Sequence, residues 1–228
     1  GVESGSQKIL DLMEKNFKVS DVNKALESCI RHKLFSPIAV MAGMPGEDEK
    51  TAMETGKFIG EISAKMNVHP EKTNYEIFYA LPLPGTPLWE YGEQVGVIET
   101  GTEGTVGYLN RVADAGTFKR YYINLNGAPA SEVLFWDYLI RLEASRTYHN
   151  CKKDNSNEFW LKGYVKNDEI WKSNPRTSLK YRALSFTHIT FLLDRYIIKN
   201  KLFSSIPKFF IYPTIKFFLY FEYFIQSL

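Results

Sequence analysis

Apolar and polar positions along this chain repeat with two periods, and the switches between them predict its elements. Gln7 to Lys15 sets Ile9, Leu10 and Met13 on one side, the pattern of a short amphipathic helix. Ser20 is a candidate cap for a second helix, in which Val22, Ala25, Leu26, Cys29, Ile30 and Leu34 follow the i, i+3, i+4, i+7 rule. Ile38 to Met41 is short and wholly apolar, as expected of a strand covered on both faces. Gly43-Met44-Pro45-Gly46 breaks it. Glu47, Asp48 and Glu49 then place negative charge on the first turn of a third helix, where the dipole favours it. That helix runs to about Met66, with Phe58, Ile59, Ile62 and Met66 buried. Tyr75 to Leu81 reads as a second strand, ended by Pro82-Leu83-Pro84-Gly85-Thr86-Pro87.

The pattern then changes. Residues 100–127 are rich in Gly, Thr and Asn and read as loop, with a short helix around Tyr108 to Asp114. Pro129 to His149 is a long helix, apolar nearly all round through Val133, Leu134, Phe135, Trp136, Leu139, Ile140 and Leu142. Arg141, Glu143 and Arg146 are expected on its solvated face. Residues 150–158 form a polar linker, and 159–185 follow no single period. From Phe186 the chain is apolar and helical, broken at Pro207 and Pro213.

Strand end, two helices, strand, helix, strand: this order predicts an α/β fold whose parallel strands are joined by helical crossovers. A closed eight-fold barrel takes roughly 250 residues, so the first hundred supply only its last two or three units. Gly1-Val2-Glu3-Ser4-Gly5-Ser6 has no Met and no signal-peptide pattern, and reads as a strand entering a helix. A true end at Gly1 would leave an apolar sheet edge open. The chain is therefore expected to come from a longer protein, a processed N-terminus being the alternative. Three regions follow: 1–100, the alternating strand–helix portion; 101–185, a mixed and helical extension; and 186–228, an aromatic helical tail.

Composition excludes several classes. With 44% apolar residues and 24% charged, wholesale disorder is ruled out. A net charge of +2 speaks against a nucleic-acid partner. Two distant cysteines, Cys29 and Cys151, exclude a disulfide framework and any cluster or zinc site made from this chain's cysteines alone. Cys29 lies on an apolar stripe, as a buried, inert thiol does. His32, His69, His149 and His188 show no metal-ligand spacing, so no metal site is expected.

In parallel α/β sheets, ligands bind beyond the carboxyl ends of the strands. Glu3–Ser6, Gly43–Glu47 and Ala80–Thr86 all end there. Gly43 and Gly46 let a flat or anionic group lie against their peptides. Ser4 and Ser6 offer hydroxyls, and Glu3 a carboxylate suited to a ribose diol or an ammonium. Pro45 and Pro82 stiffen the loops. Any one of these segments alone also reads as an ordinary turn. Glu76 shares a strand face with Asn74 and Phe78; it is a ligand contact if that face lines a barrel interior, and meets solvent or a lysine otherwise.

Three stretches carry a resemblance. Gly1 to Leu10, followed by Met13, resembles the fourth-strand segment of radical S-adenosylmethionine enzymes. Val40-Met41-Ala42-Gly43-Met44-Pro45-Gly46-Glu47-Asp48 resembles their fifth-strand Gly-x-Pro-Gly-Glu turn. Tyr79-Ala80-Leu81-Pro82-Leu83-Pro84-Gly85-Thr86-Pro87-Leu88 resembles their sixth-strand ending. Order and spacing agree over roughly residues 1–98, and the style is most like the branch with a cobalamin-binding domain.

The resemblance implies the C-terminal half of a partial TIM-type (β/α)6 barrel followed by a mainly helical extension. It implies S-adenosylmethionine, a [4Fe–4S] cluster that cleaves it reductively to a 5′-deoxyadenosyl radical, and cobalamin if the branch holds. Glu3, Ser4 and Ser6 would lie near the ribose or the aminoacyl end. Gly43, Pro45, Gly46 and Glu47 would shape the adenine pocket, and Tyr79, Ala80 and Leu81 would meet adenine largely through backbone. A small-molecule or lipid-like substrate, a reductant such as flavodoxin or ferredoxin, and a cytoplasmic location follow. The family's Cys-x-x-x-Cys-x-x-Cys loop is absent here, so an upstream segment must supply the cluster ligands. This chain alone is expected to be inactive.

Nine phenylalanines and tyrosines lie between Phe209 and Phe224, with Lys208 and Lys216 interspersed. No uncharged apolar run reaches roughly 18 residues, so a spanning helix is disfavoured. Residues 203–228 either rest on a membrane surface, on its inner face, or pack on the protein. A different class stays open: a non-catalytic membrane-surface or adaptor module built on a degenerate barrel. A barrel aldolase ranks last, since no lysine stands at a strand end for a Schiff base.

Overall fold

A computed structural model of the chain describes residues 1–66, 68, 70, 75–99, 101–113, 124–151 and 206–227. Two strands, β1 (Ile38–Ala42) and β2 (Tyr75–Tyr79), pair in parallel, with Ile38 opposite Tyr75 and Ala42 opposite Tyr79. The N-terminal residues lie along the other edge of β1. The Val2 and Glu3 amides donate to the Ala39 carbonyl, both at 2.9 Å, and Met41 N donates to Glu3 O at 2.7 Å. Glu3 bridges Val40 in the parallel sense. Position in the sheet thus follows chain order, and parallel neighbours need crossovers. Helices α1 (Gln7–Leu12) and α2 (Val19–Arg31) make the first, and α3 (Glu49–Met66) the second.

Helix α2 starts one residue before Ser20, which therefore does not cap it; the Asp21 carboxylate reaches back to Lys18 N at 3.0 Å instead. At the start of α3 the acidic run divides. Asp48 caps the helix by accepting from Thr51 N at 2.9 Å, while Glu47 turns away into the preceding loop.

One face of β1 is fully buried through Ile38, Val40 and Ala42. Ala39 and Met41 on the other are half-buried, so the strand is not equally enclosed on both sides. The buried face joins one core with Phe58, Ile59, Ile62 and Met66 of α3 and with Leu139 and Ile140 of α6 (Ala130–Cys151). Helices α3 and α6 touch backbone to backbone. A Cβ on Gly56 would fall 2.5 Å from Ile140 O, and one on Gly60 would fall 2.6 Å from Ala144 O. Only glycine fits there.

Between β2 and α6 in sequence lie α4 (Pro87–Gln94) and α5 (Thr102–Ala113). The latter starts six residues earlier than its apolar pattern suggested, because its first turn is held by Thr105 Oγ1 on Gly101 O at 3.0 Å rather than by apolar contacts. Trp89, Ile98 and Tyr108 form a small second core.

The last described helix, α7 (Lys208–Ser227), runs through Pro213 without a break. Proline removes one donor, and Ile211 and Ile215 on either side of it are buried against the core. Helix α7 also overturns the expected solvated face of α6. Glu143 and Arg146 are buried and Arg141 is half-buried. Glu143 accepts from Lys208 Nζ at 2.6 Å and from the Tyr212 hydroxyl; Arg146 donates to Ile206 O. No described helix is long and apolar enough to cross a membrane. The 159–185 stretch, His69, His188, Asn74 and most of the expected linker lie outside the described residues.

Candidate functional site

The carboxyl ends of the three parallel segments lie side by side. Glu3 is hydrogen-bonded to Met41, and Ala80 N donates to Ala42 O at 3.2 Å, so the backbones of Glu3, Ala42–Gly43 and Ala80 form one continuous rim. Glu3 holds a positive φ of 67°, rare for a side-chain-bearing residue, and its Oε1 lies 3.2 Å from Lys15 Nζ.

Ser4 and Ser6 are buried and face α3. Thr55 Oγ1 donates to Thr51 O at 3.1 Å, so its one proton is committed. Ser4 Oγ, 3.0 Å away, must then donate to Thr55. Thr55 also accepts from Gly5 N at 3.1 Å, Ser4 Oγ accepts from Ser6 N at 3.1 Å, and the Ser6 hydroxyl donates to Glu54. Both serine protons therefore fix the loop to α3. Of this segment's polar side chains, the part-exposed Glu3 carboxylate, paired with Lys15, is the one not taken up by α3.

The turn after β1 is closed on itself. Gly43 and Gly46 adopt φ of 83° and 79°, conformations suited to glycine. Glu47 is buried, and its Oε2 accepts from Gly43 N at 2.5 Å and from Met44 N at 3.3 Å. Burial pushes its pKa up to about 7, only partly opposed by these two amides, and the neighbouring Asp48 charge adds to the rise. With both amides committed to a carboxylate, the Gly43 and Met44 donors are not open to an anion. Gly43 itself is buried; what the turn leaves open is the half-buried ring of Pro45 and the exposed Gly46.

Asn126 holds the same turn from outside. Its Nδ2 donates to Met44 O at 2.7 Å and Glu47 O at 2.9 Å. Its own loop is self-braced: Asn126 N donates to Asn124 Oδ1 at 3.1 Å and Ala128 N to Asn126 Oδ1 at 3.2 Å. The Asn124-Leu125-Asn126-Gly127 stretch carries a turn signature, but nothing in the sequence names its partner.

At the end of β2, Tyr79 and Ala80 are buried and Leu81 is half-buried against the Trp89–Tyr108 core. The Tyr79 hydroxyl points away from the rim and donates to Asp137 of α6 at 3.0 Å. Asp137, fully buried, also accepts from Arg141 Nε at 2.7 Å. Tyr108 donates to Pro82 O, fixing the start of the third loop. Glu54, Thr55 and Asn126 complete the polar networks of the rim, and no local motif marks any of them in the sequence. Glu76 pairs in register with Ala39, on the sheet face turned away from α3 and α6. It is half-buried, and burial holds its carboxyl above the ordinary range.

The cluster implied by the resemblance does not fit these residues. Cys29 is half-buried on α2 and Cys151 is exposed at the end of α6. Among the described residues no group of three or more His, Cys, Asp or Glu is placed to hold a metal ion. Two groups at the rim are of the kind a nucleoside uses, the half-buried ring of Pro45 and the Glu3 carboxylate, which pairs with Lys15.

No family model matches the chain, and no solved structure matches it. It is similar to an uncharacterized protein of Methanocaldococcus jannaschii, 36% identical over 72 residues. The match covers 31% of this chain and 22% of that protein's length.

Proposed function

We propose that this chain is the S-adenosylmethionine-binding, C-terminal half of a radical S-adenosylmethionine enzyme, a partial (β/α)6 barrel with a helical extension. The observation that carries the reading is the continuous rim of Glu3, Gly43 and Ala80 at the carboxyl ends of three adjacent parallel segments. Each of the three resembling stretches contributes one piece of it. Glu3 takes the ribose diol or the ammonium, the Gly43–Gly46 turn packs on the adenine, and Ala80–Leu81 closes the pocket with backbone. Glu76, on the face away from the helices, is a substrate-side contact. An iron–sulfur cluster held by residues outside the described ones would supply the reducing electron for cleavage of S-adenosylmethionine, drawn from a flavodoxin or ferredoxin. Under the cobalamin branch the reaction is a methylation or ring formation at an unactivated carbon of a small or lipid-like substrate.

The test is made on the protein extended through the coding sequence ahead of Gly1. With a Cys-x-x-x-Cys-x-x-Cys loop present and iron and sulfide restored without oxygen, a reductant should release 5′-deoxyadenosine from S-adenosylmethionine. A cluster-loaded protein that releases none overturns the reading.

A second reading, a membrane-surface or adaptor module, is favoured by one observation. Phe209, Phe210, Phe217, Phe218 and Phe221 of α7 are 44% to 70% exposed, while Ile211 and Ile215 are buried. Aromatic side chains on the open side of a helix suit a bilayer interface. Replacing Phe209, Phe217 and Phe221 together with serine should abolish sedimentation with anionic vesicles; unchanged sedimentation removes this reading.

A further inference from the structure

We propose that Asn126 is the positioning residue of the Gly43–Glu47 turn, coupling the loop after α5 to the backbone that faces the ligand. Its ligand half rests on the S-adenosylmethionine reading; its structural half does not. Three observations converge. The Asn126 amide donates to two carbonyls of the turn, 82 and 79 residues away in sequence. The Asn126 side chain is itself held, since its Oδ1 accepts from Ala128 N and its loop turns at Gly127 with φ of 85°. From the opposite side, one oxygen of buried Glu47 gathers the Gly43 and Met44 amides.

The turn is therefore clamped at both ends of its peptides: carbonyls by Asn126, amides by Glu47. The Glu47 amide also closes the turn on the Met44 carbonyl at 3.1 Å, so the two clamps add to a turn that is bonded to itself. Gly43 and Gly46 leave the backbone wide freedom, and Gly46 is exposed. With both in place, the backbone from Gly43 to Glu47 is set before a ligand arrives, which lowers the ordering cost of binding. Glu47 makes the inner clamp sensitive to protons near neutrality, because burial raises its pKa. The charged groups about it are Asp48, next in sequence, and Lys8 of α1, which pairs with Asp48 at 3.0 Å.

The experiment follows the Gly43 and Met44 amides in isotope-labelled full chain, comparing the wild type with Asn126→Ala, Asn126→Asp and Glu47→Gln. Asn126→Asp keeps the shape and removes the donors, so it reports on the clamp even if Asn126→Ala folds poorly. Both Asn126 variants should lose about tenfold in protection of those two amides from hydrogen exchange, with the middle of α3 unchanged. The Gly43 amide resonance should titrate near neutral pH in the wild type, shift its midpoint in Asn126→Asp, and stop titrating in Glu47→Gln. Unchanged protection and an unchanged midpoint in both Asn126 variants overturn the proposal. S-adenosylmethionine should bind the Asn126 variants about tenfold more weakly than the wild type. Equal binding despite lost protection overturns the ligand half. Lost protection in the variants of a chain whose wild type binds no S-adenosylmethionine keeps the clamp and removes the ligand half, while release of 5′-deoxyadenosine by the extended protein tests the functional reading separately.

Discussion

The rim of the sheet and the α6–α7 layer both bury polar side chains, but they satisfy them differently. In the helical layer each buried carboxylate has a cation: Asp137 has Arg141, Glu143 has Lys208, and the half-buried Glu132 shares Lys216 with Glu49. At the rim the part-exposed Glu3 pairs with Lys15, but hydroxyls and backbone amides hold the buried groups, and among the described residues no cation pairs with Glu47. A paired buried charge fixes one arrangement of helices and is costly to break. An unpaired one, held by amides alone, stays close to protonation at neutral pH. The layer is built to persist; the rim carries a group whose charge changes within the physiological range.

The largest effect is expected at Asp137, in the layer. Asp137→Ala removes the buried acceptor shared by Tyr79 and Arg141 and breaks a buried charge pair; stability should fall by about 3–5 kcal/mol in urea unfolding. A loss under about 1 kcal/mol would mean that the network is not the support of α6 against β2.

Glu47 comes next. Folding raises its pKa from the ordinary carboxylate value to about 7, so the folded chain keeps a proton that the unfolded chain releases. Its contribution to stability is complete at acidic pH, below the unfolded value, and is lost as the pH rises through about 7. The wild type should therefore lose roughly 3 kcal/mol relative to Glu47→Gln between about pH 4 and pH 8, and parallel curves for the two proteins would contradict the burial account.

Gly60→Val tests the backbone contact between α3 and α6. The added side chain meets Ala144 O and Thr147, and overpacking of this kind costs about 1–3 kcal/mol. Chemical unfolding of the variant beside the wild type measures it. Lys216→Ala has the smallest expected effect, about 1 kcal/mol and reduced by salt, since its pairs are part-exposed. Thermal unfolding at low and high salt checks it.

Local periodicity was enough to place Phe58, Ile59, Ile62 and Met66 in the core and to mark β1, because burial there follows from each element's own pattern. It failed where a distant segment decides. Arg141, Glu143 and Arg146 look solvated on a helical wheel; α7, some sixty residues on, covers two of them and Asp137 holds the third. Ser4 and Ser6 stand at a strand end where ligands bind, yet Thr55 and Glu54 take their protons. Asn126 was silent for the same reason: its partners lie in a turn of the first hundred residues. The rim positions were legible because glycine and proline announce a turn wherever they stand, whereas the hydrogen bonds that shape it are long-range.

Titrating S-adenosylmethionine into the isotope-labelled chain is the most direct measurement of what the rim does. Resonances of Glu3, Gly43, Gly46 and Ala80 should move together and saturate, while those of α7 stay still. No movement at the rim at saturating ligand, or movement confined to α7, would contradict the assignment of this rim as a nucleoside site.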